Sequence, residues 1–444
     1  MVKICFEGEV LGPDQAAERF SSAAIRDKLL DLGALQQERG GRVRITFVGL
    51  AVAGGTAIQF VTKTLRGSSG PHRQAMRDVV RALRHYARWR PPYHEPSPFL
   101  RPDPTEPALS ALALADWIIR DYLATGIYRR TADRYEMDGA GQISWQRTLE
   151  RVPPVFVRGS PVYVRFVTGS AARDPAHFVS RLHRQFVEDA SARFGHLLGF
   201  PPITLDHEPF ERFAEVPGLA LCKASLRREA QGAYSERAMQ LLPMLLAWMT
   251  GQATGASSDL TLYGTTTFHL IWEAACAAAL GNERECWKAD MPAPVWTGAG
   301  GLSEAAHSFI PDIVTSLEQP HPGAGWLLIA DAKYYRLQMP PCLSGQPGVS
   351  DVAKQLWYEE VLRPSSRQRG YDQISSIFVM PGSDEGPTFW RDGHVTLTGL
   401  GASRVLVTRL AFLGALRQYV EGRRLDNRMV RAVVRWASLV GKAE

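Results

Sequence analysis

Two apolar runs in the second half of the chain are predicted to be β-strands, and each carries an acidic residue. The runs cover residues 307–314 and 326–335 and contain Asp312 and Asp331, with Lys333 two positions after the second acid. Because side chains alternate along a strand, Asp331 and Lys333 are expected to point to the same side. A hairpin of the two strands would place Asp312 beside Asp331, at strand ends that we expect to face solvent.

Helical patterns lie on either side of these strands in the sequence. In residues 266–276 the apolar positions recur with a period of 3.6 residues, and Glu273 lies beside that apolar face. Residues 351–360 form a second predicted helix, in which Gln355 and Tyr358 share a face at a spacing of three residues. The order helix, strand, strand, helix predicts an α/β arrangement.

The first part of the chain is predicted to begin with short strands and to continue with a basic helix. Residues 44–52 and 56–63 flank Ala53-Gly54-Gly55, which predicts a hairpin. A helix over 71–89 carries arginines every three or four residues opposite an apolar face, namely Arg73, Arg77, Arg81, Arg84 and Arg88. This arginine stripe is either a solvated helix face or a track for phosphate groups, which arginine binds in a bidentate manner.

The length of the chain and its proline-rich stretch predict how it divides into domains. A chain of 444 residues is expected to form two or three domains. A proline-rich stretch over 91–108 is typical of a linker. We predict an α+β N-terminal region over 1–235, with subdomains 1–90 and 91–235, and a C-terminal domain over 236–444.

Composition limits the classes of protein that fit. Hydrophobic residues make up 45% of the chain and charged residues 22%, which is typical of a globular protein, and the net charge of +6 suits a polyanionic partner. The five cysteines form no CxxC pair, which argues against a zinc site or a disulfide framework. No apolar run approaches 18 residues, so a cytoplasmic protein without membrane contact is expected.

The two aspartates predict a metal site. Carboxylates that are held close together repel each other unless a divalent cation neutralises them. Mg²⁺ prefers hard oxygen ligands and keeps several waters, one of which can attack a phosphodiester. The pair of Asp312 and Asp331 therefore predicts a Mg²⁺ site, which Mn²⁺ could also occupy.

These residues resemble the signature of the PD-(D/E)XK nuclease superfamily. Pro311-Asp312 and Asp331-Ala332-Lys333 match its two halves. The resemblance implies that the C-terminal domain has a central mixed sheet flanked by helices. Many of these nucleases carry a Gln and a Tyr near the DNA phosphates on the helix that follows, and Gln355 and Tyr358 occupy the corresponding positions here.

The same resemblance implies a role for each residue of the site. Asp312 and Asp331 would hold the metal together with the backbone carbonyl of Ala332. Glu273 would be a further ligand, directly or through a water, and Lys333 would orient the attacking water and neutralise charge. We expect loss of Asp331 or Lys333 to abolish cleavage.

Further motifs are similar to the LlaJI family of restriction endonucleases, which is itself similar to the McrC-type nuclease subunit. The motifs consist of Gly141, Ile143, Trp145 and Thr148, then Pro161-Val162-Tyr163, and then Phe268, His269, Trp272 and Glu273. We interpret Trp145 as a core aromatic and His269 as a structural residue.

The LlaJI resemblance implies a nuclease subunit of a restriction system that acts on double-stranded phage DNA. A separate McrB-like AAA+ GTPase would drive it, in keeping with the absence of a GxxxxGK[ST] phosphate-binding loop from this sequence. The N-terminal region would dock that motor and contact DNA. Dimerisation of the chain is left open.

Three alternatives remain open at this point. The chain could be a stand-alone nuclease of another defence or repair system. It could be a non-catalytic DNA-binding scaffold with a vestigial acidic pocket, or an enzyme that acts on RNA. The presence of all four residues of the catalytic set argues against the scaffold, namely Glu273, Asp312, Asp331 and Lys333.

Overall fold

The computed structural model describes residues 2–440 except 21, 68–71, 174–176, 206–217, 254–259, 300, 302, 306–308, 318–324 and 400–403. It divides into two compact units. The first unit combines Met1–Arg101 with Ser257–Glu444, and the second consists of Pro102–Ala256.

The elements are numbered in chain order. The first 101 residues form β1 (Val2–Phe6), β2 (Val10–Leu11), α1 (Pro13–Phe20), α2 (Ala23–Asp31), β3 (Leu35–Gln37), β4 (Val43–Ile45), β5 (Val48–Ala53), β6 (Thr56–Val61) and α3 (His72–Trp89). The second unit contains α4 (Ala111–Thr125), β7 (Thr131–Met137), β8 (Gln142–Ile143), α5 (Trp145–Arg151), β9 (Val155–Val157), β10 (Ser160–Val162), β11 (Val167–Arg173), α6 (Phe178–Ala190), α7 (His196–Leu198), α8 (Leu219–Gln231) and α9 (Glu236–Ala253).

The rest of the first unit contains β12 (Thr261–Thr265), α10 (Phe268–Leu280), α11 (Arg284–Trp287), β13 (Val295–Thr297), β14 (Ser303–Ala305), β15 (Ile313–Leu317), β16 (Trp326–Ala332), α12 (Val349–Gln368), β17 (Gln373–Gly382), β18 (Phe389–Thr396), β19 (Arg404–Ala411), α13 (Phe412–Glu421) and α14 (Asn427–Val440). The protein therefore has a mixed α/β architecture, as predicted.

A four-stranded sheet in the order β1-β6-β5-β12 joins the two chain segments of the first unit. The predicted hairpin is its centre, since β5 and β6 pair antiparallel around Gly54 and Gly55, both with positive φ. Strand β12 pairs with β5 and brings Gly264 opposite Gly49. A side chain at either glycine would run into the backbone of the other strand. This close approach places α10, which begins three residues after β12, next to the N-terminal sheet.

A second, five-stranded sheet has the order β15-β16-β17-β19-β18. Strands β16, β17 and β19 are parallel, whereas β15 and β18 pair antiparallel at the two edges. Helix α12 covers one face, where Leu327, Ile329 and Phe378 are buried. Residues of the alternate positions, such as Leu328 and Ala330, are also fully buried, so the sheet is covered on both faces.

The second unit packs α4, α6, α8 and α9 against one another and carries a small sheet in the order β7-β11-β8. Trp145 was predicted to be a core aromatic, and this prediction is wrong. It begins α5 with 55% of its surface exposed and its ring edge against Phe166. The buried member of that motif is Thr148, whose hydroxyl accepts a hydrogen bond from the Val167 N–H at 2.9 Å.

The division into units differs from the predicted boundary near residue 235. That position lies inside the second unit, between α8 and α9, which pack against each other. The proline-rich stretch over 91–108 also differs from a linker in its first part, because Ser97 and Leu100 are buried in the first unit. Pairing of β12 with β5 causes both differences, since it draws the chain start and the C-terminal half into one unit. No helix in the described part of the chain has the length and apolar character that crossing a bilayer requires.

Candidate functional site

Asp312 and Asp331 lie beside each other because of the register of the β15–β16 hairpin. Ile313 pairs with Ala330, so the residue before β15 falls opposite Asp331 near the end of β16. The Ala332 N–H donates a hydrogen bond of 3.0 Å to Oδ2 of Asp312. Asp312 therefore precedes its strand instead of ending it, and the antiparallel pairing brings it to the second acid.

Asn282 ties the start of β15 to the end of α10. Its side-chain amide donates to the Asp312 carbonyl at 2.9 Å, and its Oδ1 accepts from the Val314 N–H at 3.2 Å. Gly281, at the C-terminus of α10, adopts the positive φ that this change of direction requires. The helix that carries Glu273 and the strand that follows Asp312 are thereby held together.

Burial and neighbouring charges act together on Asp312. Loss of hydration raises the pKa of its carboxyl group well above the usual range, and the charges of Asp331 and Glu273 raise it further. Asp331 is only 2% exposed, so our expectation that it faces solvent is wrong. Its buried Oδ2 atom makes no aligned hydrogen bond among the described residues, but the Lys333 ammonium lies 2.7 Å from it. Two adjacent carboxyl groups that are shielded from water form a site that favours a cation.

Lys333 bridges two carboxylates. Its Nζ atom lies 2.7 Å from Oδ2 of Asp331, and the two groups form an ion pair whose angles do not fit a hydrogen bond. The same Nζ atom donates a hydrogen bond of 2.9 Å to Oδ1 of Asp351. Burial alone would lower the pKa of Lys333, but the two aspartates outweigh burial and raise it above the usual range. Lys333 and Asp331 share one side, as the strand alternation predicts.

Asp351 was not predicted as a site residue. It lies in the first turn of α12, where its Oδ2 also accepts the Gly348 N–H at 3.1 Å. Burial raises its pKa, but the hydrogen bond and charge of Lys333 outweigh that effect and lower it. An acid in the first turn of a helix is common, so the sequence carried no specific signal for its contact with Lys333.

Glu273 lies on α10 with 17% of its side chain exposed. Oε1 is 3.2 Å from Nε2 of His94, a second residue that was not predicted. Among the described residues, no three His, Cys, Asp or Glu side chains are grouped closely enough to hold a metal. The structure thus brings the carboxyl groups of Asp312 and Asp331 together, while Glu273 interacts with Asp312 through its charge.

Gln355 and Tyr358 are both buried, so neither belongs to an ordinary solvated helix surface. Gln355 is fully buried, and both atoms of its side-chain amide lack a hydrogen-bond partner among the described residues. Tyr358 belongs to a buried apolar cluster that also contains Val314 and Leu327. Burial raises the pKa of Tyr358, and the charges of Asp312 and Asp331 add to that rise, which places its hydroxyl near the acids. An unpaired buried amide is suited to a polar ligand.

The arginine stripe of α3 forms an exposed face in part. Arg77, Arg81 and Arg88 are exposed, Arg84 is half-buried, and the side chain of Arg73 lies outside the described residues. The opposite face is buried through Met76, Val79, Val80 and Leu83. The predicted amphipathic helix is therefore confirmed, whereas no contact in the structure tests the proposed phosphate track.

The sequence is similar to known proteins. The LlaJI restriction endonuclease family matches residues 47–411. The type II restriction enzyme BsuMI component YdjA of Bacillus subtilis (strain 168) is 27% identical over 307 residues, which cover 67% of this chain and 64% of that protein. The chain thus spans less than two thirds of this relative's length.

Two solved assemblies from Thermococcus gammatolerans are also similar. A chain of an assembly of McrB AAA+ hexamers with bound McrC aligns over 95% of this chain and 99% of its own length, with 12% identity and a TM-score of 0.42. A chain of the McrBC complex aligns over 56% of this chain and 79% of its own length, with 13% identity and a TM-score of 0.24. Since the family match spans most of the sequence, this chain belongs to the LlaJI restriction endonuclease family.

Proposed function

We propose that this chain is the nuclease subunit of a restriction system and that it hydrolyses phosphodiesters of double-stranded DNA with Mg²⁺. Membership of a restriction endonuclease family supports the reaction class. The observation that carries the chemistry is the contact of Asp312 with Asp331, with the Lys333 ammonium 2.7 Å from the second acid. This geometry, at the edge of a mixed sheet covered by helices, supports a PD-(D/E)XK fold.

The donor set fits a hard divalent cation. Asp312 and Asp331 offer adjacent carboxylate oxygens, and the carbonyl of Ala332, whose N–H donates to Asp312, would be a further ligand. In the absence of a cation the two acids repel each other, which is one cause of the raised pKa of Asp312. A bound Mg²⁺ would supply charge neutralisation and a Lewis acid for the scissile phosphate.

The remaining steps belong to side chains of this protein. Lys333 is held beside Asp331 by a second acid, Asp351, and its ammonium would neutralise the negative charge that develops on the phosphate. The unpaired amide of Gln355 offers a donor and an acceptor to a phosphate oxygen or a water. Glu273 would join the site as a ligand or through a water. The exposed arginines of α3 would contact the DNA backbone.

We also propose a separate nucleotide-hydrolysing partner of the McrB type. The name of the Bacillus relative describes it as a component, which indicates that it acts with other chains. If the proposal is right, cleavage requires the partner and GTP. Cleavage at the full rate by the isolated chain would instead favour a stand-alone nuclease.

The central test replaces the site residues in the full chain. Asp331→Asn and Lys333→Ala are each expected to lower the cleavage rate at least about 100-fold with Mg²⁺, because they remove a metal oxygen or the positioned cation. Asp392→Asn is a matched control, since that acid pairs with Arg409 on β18 and β19. Both site variants should keep native circular dichroism. Cleavage by Asp331→Asn at the native rate would contradict the proposed site, and native Mn²⁺ binding by calorimetry in that variant would contradict the metal assignment.

A further inference from the structure

The segment around His94 is anchored in the first unit on both sides. The His94 N–H donates to the Pro91 carbonyl at 3.0 Å, and Nε of Arg90 donates to the His94 carbonyl at 3.2 Å. After it, the Ser97 hydroxyl donates to the carbonyl of Gly264 at 2.7 Å in a buried position. These bonds fix the backbone on which His94 is carried and connect it to β12, the strand that precedes α10.

The His94 ring is enclosed and directed at Glu273. Only 3% of the side chain is exposed, and its Nε2 atom lies 3.2 Å from Oε1 of Glu273. The rings of Tyr86 and Tyr93 are its aromatic neighbours, at centroid distances of 5.8 and 4.9 Å. Tyr93 is itself close enough to the site that the charges of Glu273 and Asp312 raise its pKa, after burial as the main cause.

Neither ring nitrogen of His94 has a hydrogen-bond partner within the described part of the chain. Buried polar atoms without a partner are few in native proteins, because each loses its hydration without gaining a hydrogen bond in return. The buried His183 in the second unit has one bonded ring nitrogen, since its Nδ1 accepts the Tyr128 N–H at 2.9 Å, while its Nε2 has no partner among the described residues. His94 differs because both of its ring nitrogens are unbonded, and a carboxylate oxygen lies 3.2 Å from Nε2 without the alignment of a hydrogen bond.

We infer that His94 is a positioning residue that orients the Glu273 carboxylate toward the aspartate pair, so that segment 91–97 is part of the catalytic site. This inference rests on the proposed function. Hydrogen bonds of catalytic groups are often long or misaligned before the ligand is bound and become shorter in the complex. A tautomer with the proton on Nε2 donates to Oε1 of Glu273 and leaves the other carboxylate oxygen for the site. Loss of a residue that orients a metal ligand in this way typically lowers metal affinity by about 10–100-fold.

The test uses the full chain, with Mn²⁺ alone as the probe for binding and cleavage assays for the reaction. His94→Ala is expected to weaken Mn²⁺ binding roughly 10-fold or more. The Mn²⁺ concentration for half-maximal cleavage should rise by a similar factor. His94→Gln should recover much of the affinity, because its amide N–H can donate to the same oxygen. If His94 acts through Glu273, adding His94→Ala to Glu273→Gln weakens binding no further.

His269→Ala is the control on the same helix. His269 lies one turn before Glu273, and its side chain is exposed, so its loss should leave Mn²⁺ affinity unchanged. Equal losses in His94→Ala and His269→Ala would overturn the inference, as would additive losses in the double variant or native affinity in Glu273→Gln. Should His94→Ala fail to fold, a folded His94→Gln protein with affinity lowered as far as in Glu273→Gln would also overturn it.

The outcomes separate this inference from the proposed function. If Asp331→Asn is inactive but His94→Ala binds Mn²⁺ and cleaves DNA as the native protein does, the positioning role is refuted and the nuclease proposal stands. Active Asp331→Asn would refute the nuclease site itself.

Discussion

Single carboxyl groups show how strongly position decides chemistry in this protein. Asp312 and Asp351 are both partly buried aspartates near the same hairpin, yet their pKa values move in opposite directions. Burial and two negative neighbours raise the pKa of Asp312, whereas the Lys333 ammonium lowers that of Asp351 against the effect of burial. Opposite shifts within one cluster are typical of a functional site.

His183 gives a prediction for acid stability. Burial lowers its pKa from 6.5 to about 4 in the folded protein. Because the folded pKa is below the unfolded value, the neutral ring contributes stability above pH 6.5, and that stability is lost as the pH falls towards 4. The free energy of unfolding should decrease by about 3 kcal/mol across this window, measured by denaturant titration at several pH values.

Replacement of His183 by Gln should remove most of this pH dependence. His196→Gln is the matched control, because His196 is exposed in the same unit and its replacement should leave the pH profile as it was. A native pH profile in the His183→Gln protein would show that another group causes the acid sensitivity.

At the scale of elements, the position of α10 depends on how closely β12 approaches β5. A Cβ atom at Gly264 would run into the Val48 carbonyl and the Phe47 ring. Gly264→Ala is therefore expected to destabilise the first unit by about 1–3 kcal/mol and to displace Glu273, so that cleavage falls as well. Thermal unfolding and cleavage rates measure the two effects.

Gly386→Ala provides the comparison for that substitution. A Cβ at Gly386 meets nothing within 4 Å, so this variant should unfold and cleave as the native protein does. Equal stability of the two alanine variants would contradict the packing argument.

Helix α3 carries the prediction about DNA affinity. Arg77 and Arg88 are exposed on the arginine stripe, and neither is needed for the buried face of the helix. The double variant Arg77→Ala/Arg88→Ala should weaken binding of DNA of any sequence and reduce the salt dependence by roughly one unit of slope per arginine. Fluorescence anisotropy over a range of salt concentrations measures both.

The matched control removes two exposed arginines elsewhere in the first unit, as Arg39→Ala/Arg42→Ala. It lowers the net charge by the same amount, so a loss of affinity equal to that of the stripe variant would mean that overall charge, and not α3, attracts the DNA.

At the scale of the whole molecule, the first unit is assembled from the two ends of the chain. Strand β12 completes a sheet whose other strands come from the first 61 residues, and α3 packs against α10 and α13. Arg417 on α13 also pairs with the buried Asp78 of α3 at 2.8 Å. Residues that carry the candidate chemistry therefore depend on the N-terminal segment for their support.

Fragment expression tests this organisation. Residues 257–444 expressed alone should fail to form a cooperatively folded protein, because β12 would lose its pairing partner and α10 and α13 would expose apolar surface. Co-expression with residues 1–101 should restore folding, which gel filtration and thermal unfolding would detect. A stable, cooperative fragment 257–444 would contradict the two-segment unit.

Local sequence patterns predicted many of the helices and strands and part of the candidate site. The helical period around Glu273, the amphipathic α3 and the hairpin at Gly54-Gly55 all appear where the sequence predicts them, because each depends on residues close together in the chain. The meeting of Asp312 with Asp331 also follows from alternation and antiparallel pairing, which act over about twenty residues.

Packing between distant parts of the chain decided the remaining contacts of the site and the burial of its side chains. The sequence by itself could not bring His94 to Glu273 or Asp351 to Lys333, since those contacts depend on how separate elements dock. The burial of Asp331 and Gln355 and the exposure of Trp145 likewise depend on what covers each surface in the folded chain. The sequence determined the helices, strands and chemical groups through local periodicity, and only tertiary contacts determined which groups lose their water and which charges face each other.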